Sequence, residues 1–163
     1  MIRKINQSDS QVIAEIYNHY VKNTVITFEE KEVSLDDISE RIENVLSESL
    51  PWIVAEKMGR VVGYAYATKW RARSAYRFSV ESAVYLKQTS IGNGIGTILY
   101  KELLSSLKDS GVHVVIGGIA LPNPSCIALH KKFGFKQAAY FKEVGFKFDT
   151  WIDVGYWQLQ FNS

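Results

Sequence analysis

Glu81 and His130 are the residues of this chain whose types best suit proton transfer. Glu81 lies in the segment SVESAVYL, where the apolar pattern predicts a strand with Ser79, Glu81 and Ala83 on one face. A carboxylate in such a strand costs free energy unless it is paired, and burial raises its pKa toward values that suit a general base. His130 lies in a predicted helix, next to two lysines. From the residues alone, a paired strand carboxylate and a helix-surface histidine remain open as alternatives.

The segment SIGNGIG, residues 90–96, places three glycines in five positions between a predicted strand and a predicted helix. A Walker P-loop needs Lys and then Ser or Thr after its last glycine, but Thr97 and Ile98 follow Gly96 here. The dinucleotide fingerprint needs a glycine where Thr97 stands. Two interpretations remain: a helix N-terminus with tight turns, or a nest of backbone amides that binds a pyrophosphate.

The periodicity of apolar residues predicts one mixed α/β domain over residues 1–163, with the element order β-α-α-β-β-β-α-β-α-β-β. Ser34 is the expected N-cap of the second helix. Leu35, Ile38, Ile42, Val45 and Leu46 form its predicted apolar stripe. The near-continuous apolar run VHVVIGGIAL is typical of a strand buried on both faces. The glycine segment therefore connects the third long strand to the third helix.

Composition excludes several classes of function. The 163 residues are 47% hydrophobic and 22% charged, and a net charge of +2 is too small to indicate nucleic-acid binding. The N-terminus has no signal-peptide core and no apolar run reaches 18 residues, so we expect a cytoplasmic protein that does not associate with membranes. Cys126 is the single cysteine, so no internal disulfide is possible, and we expect no metal site.

Longer segments resemble a known family. VESAVYLKQTSIGNGIG resembles the central motif of the GNAT superfamily of acetyl-CoA-dependent N-acetyltransferases, and GGIALPNPSCIALHKKFGF resembles its second motif. NHYVKNTVITFEE, WRARSAYRF and FKEVGFKFDTWIDVGYWQLQF resemble the phosphinothricin branch, which includes methionine sulfoximine and sulfone acetyltransferases. The resemblance runs from Ile16 to Phe161. It implies a single GNAT-like domain, with a mixed and mostly antiparallel sheet of about six to seven strands flanked by about four helices.

The resemblance implies direct acetyl transfer from acetyl-CoA to the α-amine of a small amino-acid-like substrate. An α-amine has a pKa of about 7.7–8.0, so it must lose a proton before it attacks a thioester. The resemblance assigns this step to Glu81, directly or through water. His130 stands where much of the superfamily has a tyrosine; it could protonate the leaving thiolate as imidazolium or assist Glu81 as neutral imidazole. Two alternative functions remain. The protein could acetylate a different amine, such as a polyamine or a protein N-terminus, or it could be a non-catalytic CoA-binding module.

The resemblance also implies a set of cofactor-binding residues. Backbone groups of the central strand and the glycine turn would hold acetyl-CoA, and a strand N–H near Val84 to Leu86 would stabilise the oxyanion. Asn123 would hold the pantetheine arm unless it only caps its helix, and Lys132 could add a cation near the pyrophosphate. The full set is Val84, Tyr85, Leu86, Gly92, Asn93, Gly94, Ile95, Gly96, Thr97, Asn123 and Lys132. One departure is Ile91, which stands where the superfamily has Arg or Gln.

Substrate recognition is expected in WRARSAYRF. Arg71 and Arg73 alternate with small residues, so both would point the same way if this segment is extended. A guanidinium matches a carboxylate or phosphinate with paired donors, and the alternative is a solvated surface. By resemblance, Phe28 and Tyr76 line the substrate pocket. The resemblance also implies a homodimer with the aromatic C-terminal segment near the interface.

Overall fold

A seven-stranded sheet and four helices carry these residues, and the computed structural model describes residues 1–162. The strands are β1 (Ile2–Lys4), β2 (Trp52–Lys57), β3 (Arg60–Lys69), β4 (Ser79–Leu86), β5 (Val114–Ala120), β6 (Lys136–Lys147) and β7 (Thr150–Gln160). The helices are α1 (Ser10–Asn23), α2 (Leu35–Ser47), α3 (Ile95–Asp109) and α4 (Pro124–Lys132). The strand order is β1-β2-β3-β4-β5-β7-β6. Of the six strand pairs in the described residues, only β4–β5 is parallel, so the sheet is mixed and mostly antiparallel. The predicted fold class and the predicted element order are both confirmed.

Local sequence explains where α2 begins and which face it buries. The Ser34 hydroxyl accepts a hydrogen bond from the Asp37 N–H at 3.1 Å, and the Asp37 carboxylate accepts one from the Ser34 N–H at 3.3 Å. This reciprocal capping box satisfies two N–H groups that the helix itself leaves unpaired. The predicted stripe is confirmed at its centre, but its end residues Leu35 and Leu46 are exposed. They lie in the terminal turns of the helix.

The sheet separates two apolar cores. One core lies between the sheet and helices α1 and α2, and includes Ile13, Ile42 and Tyr64. The other lies on the opposite face against α3, and includes Leu99 and Val115. None of the helices within residues 1–162 is long and apolar enough to cross a membrane.

The parallel strands β4 and β5 separate in the middle of the sheet. Their pairing ends at Glu81↔Ile116, although β4 continues to Leu86 and β5 to Ala120. On its other side, β4 pairs with β3 along its length, up to Gly63↔Leu86. The separation therefore leaves one edge of the second half of β4 facing a cleft, with α4 following β5 at its rim.

Candidate active site

A cavity of about 490 Å³ lies where β4 and β5 separate, and we call it the central cavity. Its walls come from the α1–α2 connection, from β3, β4, β5, β6 and β7, and from α3 and α4. Five residues predicted from the sequence line it: Phe28, Glu81, Val84, Tyr85 and His130. Several other lining residues were not expected from the sequence, among them Thr27, Tyr66, Thr68, Tyr100 and Tyr156. The cavity therefore brings the two candidate proton-transfer residues into one enclosure.

Glu81 lies at the end of the β4–β5 pairing, with its carboxylate in the central cavity. Across the cavity, a side chain at Gly118 would place its Cβ 3.3 Å from Glu81 Oε2, so glycine lets β5 pass close to the carboxylate. Among residues 1–162, no hydrogen bond or ion pair engages this carboxylate. Burial raises the pKa of Glu81, and the positive charge of Arg71 partly offsets that rise. Glu81 is thus a partly buried carboxylate that is free to accept a proton.

His130 is 4% exposed, and both of its ring nitrogens have partners. Nδ1 lies 2.8 Å from the Cys126 carbonyl, which can only accept, so Nδ1 carries the proton. The Tyr100 hydroxyl then donates to Nε2 at 2.9 Å. Burial lowers the pKa of His130, so the neutral imidazole is favoured at neutral pH. Of the two roles left open by the sequence, this geometry favours neutral imidazole over a directly acting imidazolium acid.

Tyr100 joins His130 to the strand that carries Glu81. Its hydroxyl is hydrogen-bonded to Ser82 as well as to His130, and all three side chains are buried. Burial raises the pKa of Tyr100, so the hydroxyl keeps its proton. Sequence reasoning missed Tyr100 because it stands within the apolar pattern of α3, where a tyrosine looks like core packing. The network links β4, α3 and α4 at the residue after Glu81.

A second depression, of about 350 Å³, lies between the glycine turn and α4, and we call it the glycine groove. Gly92 and Gly94 have φ of +88° and +79°, and a Cβ at either position would meet nothing within 4 Å. Gly94 is the N-cap of α3, so the positive end of that helix adjoins the groove. Lys132 is the only cation that lines it among residues 1–162. The lining is Leu86, Gly92, Gly94, Gly96, Thr97, Ser125, Ala128, Leu129 and Lys132, which leaves out the predicted Asn93 and Ile95.

Asn123 is the N-cap of α4. Its Oδ1 accepts hydrogen bonds from the Cys126 N–H and the Ser125 hydroxyl, each at 3.2 Å. Within residues 1–162, its side-chain nitrogen makes no hydrogen bond, so it is available to a ligand carbonyl. Capping and ligand binding are therefore compatible roles. On the same helix, burial raises the pKa of Cys126 to about 11, which keeps its thiol protonated and a poor nucleophile.

The WRARSAYRF segment does not form the extended strand on which the paired-arginine prediction depended. Trp70, Ala72 and Arg73 lie in bends, and a 3₁₀ turn over Ser74–Tyr76 follows. The Arg71 guanidinium packs over the Trp70 ring at 4.1 Å and acts electrostatically on Glu81. Arg71, Arg73 and Tyr76 are all exposed, and none of the three lines the central cavity. Bending interrupts the alternation that would have pointed both arginines the same way.

The candidate site therefore has three parts: the free carboxylate of Glu81, the cleft between β4 and β5, and the glycine groove at the N-terminus of α3. Residues 1–162 contain no group of three or more His, Cys, Asp or Glu side chains that could hold a metal ion. A family model described as an acetyltransferase (GNAT) domain matches residues 2–155. The chain belongs to the GNAT acetyltransferase family. The resemblance on which the sequence interpretation relied is thereby confirmed.

Two curated GNAT relatives align over nearly the whole chain. The phosphinothricin N-acetyltransferase of Alcaligenes faecalis is 37% identical over 163 residues, covering 99% of this chain and 83% of the relative. The L-methionine sulfoximine/L-methionine sulfone acetyltransferase of Salmonella typhimurium is 34% identical over 162 residues, covering 99% and 95%. These identities extend the likeness beyond the two GNAT motifs to the segments that surround the central cavity.

Solved GNAT structures share the fold closely. A phosphinothricin acetyltransferase from Sinorhizobium meliloti, in complex with acetyl-CoA, superposes with a TM-score of 0.97 at 36% identity, covering 99% of this chain and 88% of that one. A ribosomal-protein-alanine N-acetyltransferase from Brucella melitensis also gives a TM-score of 0.97 at 36% identity, covering 99% of each chain. This chain is therefore similar both to a protein named for a small amino acid, phosphinothricin, and to a protein named for the alanine of a ribosomal protein.

Proposed function

We propose that this protein transfers the acetyl group of acetyl-CoA to the α-amine of a small amino acid. The side chain of that amino acid ends in a tetrahedral, oxygen-bearing group, as in phosphinothricin, methionine sulfoximine or methionine sulfone. The names of the curated relatives support the substrate class. The observation that carries the chemistry is the unpaired, partly buried Glu81 carboxylate in the cavity between β4 and β5.

Acetyl-CoA fits the residues that face the cleft and the groove, and it supplies the activated acetyl thioester. The open space above Gly92 and Gly94 admits a pyrophosphate close to the backbone, where glycine imposes no Cβ. Lys132 supplies a positive charge there. In this proposal the side-chain nitrogen of Asn123 donates to the pantetheine arm, since its Oδ1 alone is used in capping α4. At the end of β4, the Leu86 carbonyl accepts a hydrogen bond from the Tyr20 hydroxyl at 2.5 Å.

Glu81 performs the proton transfer in this proposal. Its carboxylate takes a proton from the substrate ammonium, directly or through one water, and so produces the neutral amine that attacks. Desolvation helps, because it raises the pKa of Glu81 and makes the carboxylate a stronger base. A β4 backbone N–H between Val84 and Leu86 donates to the acetyl oxygen as negative charge develops. When the thioester C–S bond breaks, the CoA thiolate leaves and takes up the second proton that the amine nitrogen loses, so the products are the N-acetylated amine and the free thiol. His130 acts as a neutral group that orients Tyr100 and Ser82, which support the strand beside Glu81.

A second acceptor class has one specific observation in its favour. The solved structure from Brucella melitensis carries the name of a ribosomal-protein-alanine N-acetyltransferase and is as similar in fold as the phosphinothricin enzyme. A protein N-terminus is also an α-amine, so it would need the same base. The two substrate classes differ in the group attached to the α-carbon. In a protein N-terminus this group is a peptide bond, and in a free amino acid it is a carboxylate.

Arginine substitutions test the amino-acid class. We expect wild type to prefer methionine sulfoximine to methionine by about 10–150-fold in kcat/KM, because a thioether leaves the charged guanidinium without a hydrogen-bond acceptor. Arg71→Ala should reduce this ratio by harming the better substrate, because the charge of Arg71 reaches Glu81 in the central cavity, whereas Arg73→Ala should leave it unchanged, because Arg73 is exposed outside that cavity. Arg71→Lys should retain the preference only partly, because an ammonium lacks the paired donors of the fork. Steady-state kinetics with both amino acids measures the ratio.

Arg77→Ala is the matched control, because Arg77 is exposed on the same segment and packs over Phe78 at 4.6 Å. Its ratio should equal that of wild type. A wild-type ratio near one, or a ratio unchanged in Arg71→Ala, would show that Arg71 does not select the substrate. Peptide N-termini and polyamines would then become the preferred acceptors.

We also propose a homodimer that uses the β6–β7 hairpin. Phe141, Val144, Phe146, Phe148 and Trp151 are all exposed there, and Trp151 reaches 63%. Soluble monomers seldom expose so many large apolar side chains in one region. Trp151→Lys should shift the protein toward monomer in sedimentation velocity, whereas Met58→Lys, in the exposed β2–β3 turn, should not. A monomeric wild type, or an unchanged dimer in Trp151→Lys, would contradict this.

A further inference from the structure

The connection between α1 and α2 forms one wall of the central cavity. Ile26, Thr27 and Phe28 line the cavity, and residues 24–34 contain neither helix nor strand. Such a connection has no ladder of backbone hydrogen bonds, so contacts from other elements must fix its position. On the α1 side, the Tyr17 hydroxyl and Thr27 Oγ1 are hydrogen-bonded at 2.8 Å. The contacts on the other side come from the end of β6.

Lys147, the last residue of β6, is 1% exposed. Its ammonium donates to the Thr27 carbonyl at 2.8 Å. A lysine is almost never buried so completely unless its charge has partners, because desolvation of the charge costs free energy. Burial accordingly lowers the pKa of Lys147, and the negative charges of Glu30 and Glu29 partly offset this change. The ammonium also lies 5.1 Å from the centroid of the Phe148 ring, and its hydrogen bond to the Thr27 carbonyl is a tether that ties β6 to the cavity wall.

Gly145 lies two residues before Lys147 on the same strand and is also buried. A Cβ at this position would stand 2.5 Å from both Cε2 and Cζ of Phe28. The backbone of Gly145 is not in the left-handed region, so its conformation does not require glycine. What requires glycine is the aromatic ring that lies against it. Gly145 is therefore the residue of β6 against which the Phe28 ring packs.

We propose that Gly145 and Lys147 are positioning residues that hold the 26–28 wall in place and so set the affinity for the amine substrate. Lys147 fixes the backbone of the wall at Thr27, and Gly145 fixes the ring of Phe28. Neither residue lines the central cavity, so each acts through the wall. The inference rests on the proposed function for its kinetic consequence, although the tether itself is a property of the fold.

Kinetics of two variants test the proposal. In Lys147→Met and Gly145→Ala, we expect kcat/KM for the amine to fall about 10- to 100-fold, because a small displacement of a positioning group has effects of this size. The change should lie in the KM for the amine, and the KM for acetyl-CoA should be unchanged. Lys136→Met, at the exposed start of β6, is the matched control and should behave as wild type. An equal rise in both KM values would overturn the proposal.

A double-mutant cycle shows whether the effect of Gly145→Ala comes from its contact with the Phe28 ring or from a general disturbance of packing. Once Phe28→Ala has removed the ring, Gly145→Ala should cause no further change in the KM for the amine. If Gly145→Ala is equally harmful in the wild-type and Phe28→Ala backgrounds, the ring is not what the glycine accommodates, and the assignment of Gly145 is wrong.

Hydrogen exchange tests the tether without turnover. Backbone amides of residues 24–34 should exchange faster in Lys147→Met than in wild type or Lys136→Met, because the wall has lost its contact with β6. Unchanged exchange overturns the tether, whatever the kinetics show. If wild type acetylates no amine, the proposed function fails while the exchange measurement still decides whether Lys147 holds the wall.

Discussion

Glu81→Gln is expected to lower turnover by about 10²–10⁴-fold, the usual contribution of a general acid–base group. Gln has nearly the same shape but cannot take the proton of the substrate ammonium. Acetyl-CoA binding should survive, because the glycine groove does not include Glu81. Stopped assays of thiol release measure turnover, and calorimetry measures binding. Glu102→Gln, on the exposed face of α3, is the control and should retain wild-type turnover.

The pH profile gives an independent reading of the same residue. Burial raises the pKa of Glu81, and only the ionised form is a base, so kcat/KM for the amine should fall as pH decreases through that raised pKa. Glu81→Gln should lose this acidic limb. Ionising a partly buried carboxylate opposes folding, so above the unfolded pKa the Gln variant should be at least as stable as wild type. Near-normal turnover of the variant across pH 6–9 would remove Glu81 from the mechanism.

Gly94→Val is expected to abolish CoA binding. The added side chain would enter the open space above the glycine turn, where the pyrophosphate must approach the backbone. Gly94 also has a φ of +79°, which a β-branched residue tolerates poorly, so the variant should lose stability as well. Titration calorimetry with CoA, alongside thermal unfolding, measures the two effects separately.

Gly59→Val separates backbone strain from loss of the site. Gly59 has a φ of +75° and equally open surroundings, but it lies in the β2–β3 turn, outside the glycine groove. This variant should lose stability to a similar extent and still bind CoA. If Gly94→Val binds CoA as wild type does, the assignment of the groove to the pyrophosphate is refuted.

Periodicity predicted most of the fold, because each helix and strand leaves a local pattern. The glycine turn, the capping box at Ser34 and the order of the elements follow from residues within a few positions of one another. Glu81 stood out because a carboxylate is anomalous in an apolar strand, and the family resemblance then assigned it the role of base. These features need no knowledge of which strands become neighbours.

Features that depend on distant contacts were not predictable in this way. Tyr100 meets His130 only after α3 and α4 have packed on the sheet, and Tyr100 itself fits an ordinary apolar stripe. Gly145 packs against Phe28 across more than a hundred residues of sequence. The Arg71 and Arg73 alternation failed because it assumed an extended segment, and a run of bends replaces it. Tertiary contacts decide these positions.

Thiol release from acetyl-CoA, measured for wild type with a panel of amines, tests the central claim most directly. The panel contains methionine sulfoximine, phosphinothricin, methionine, a polyamine and a peptide with a free N-terminus. We expect rapid release with the first two, slow release with the others, and a product mass that corresponds to one added acetyl group. If acetyl-CoA binds but no amine accelerates thiol release, the protein is not an N-acetyltransferase of these amines, and the account of Glu81 as a base is wrong.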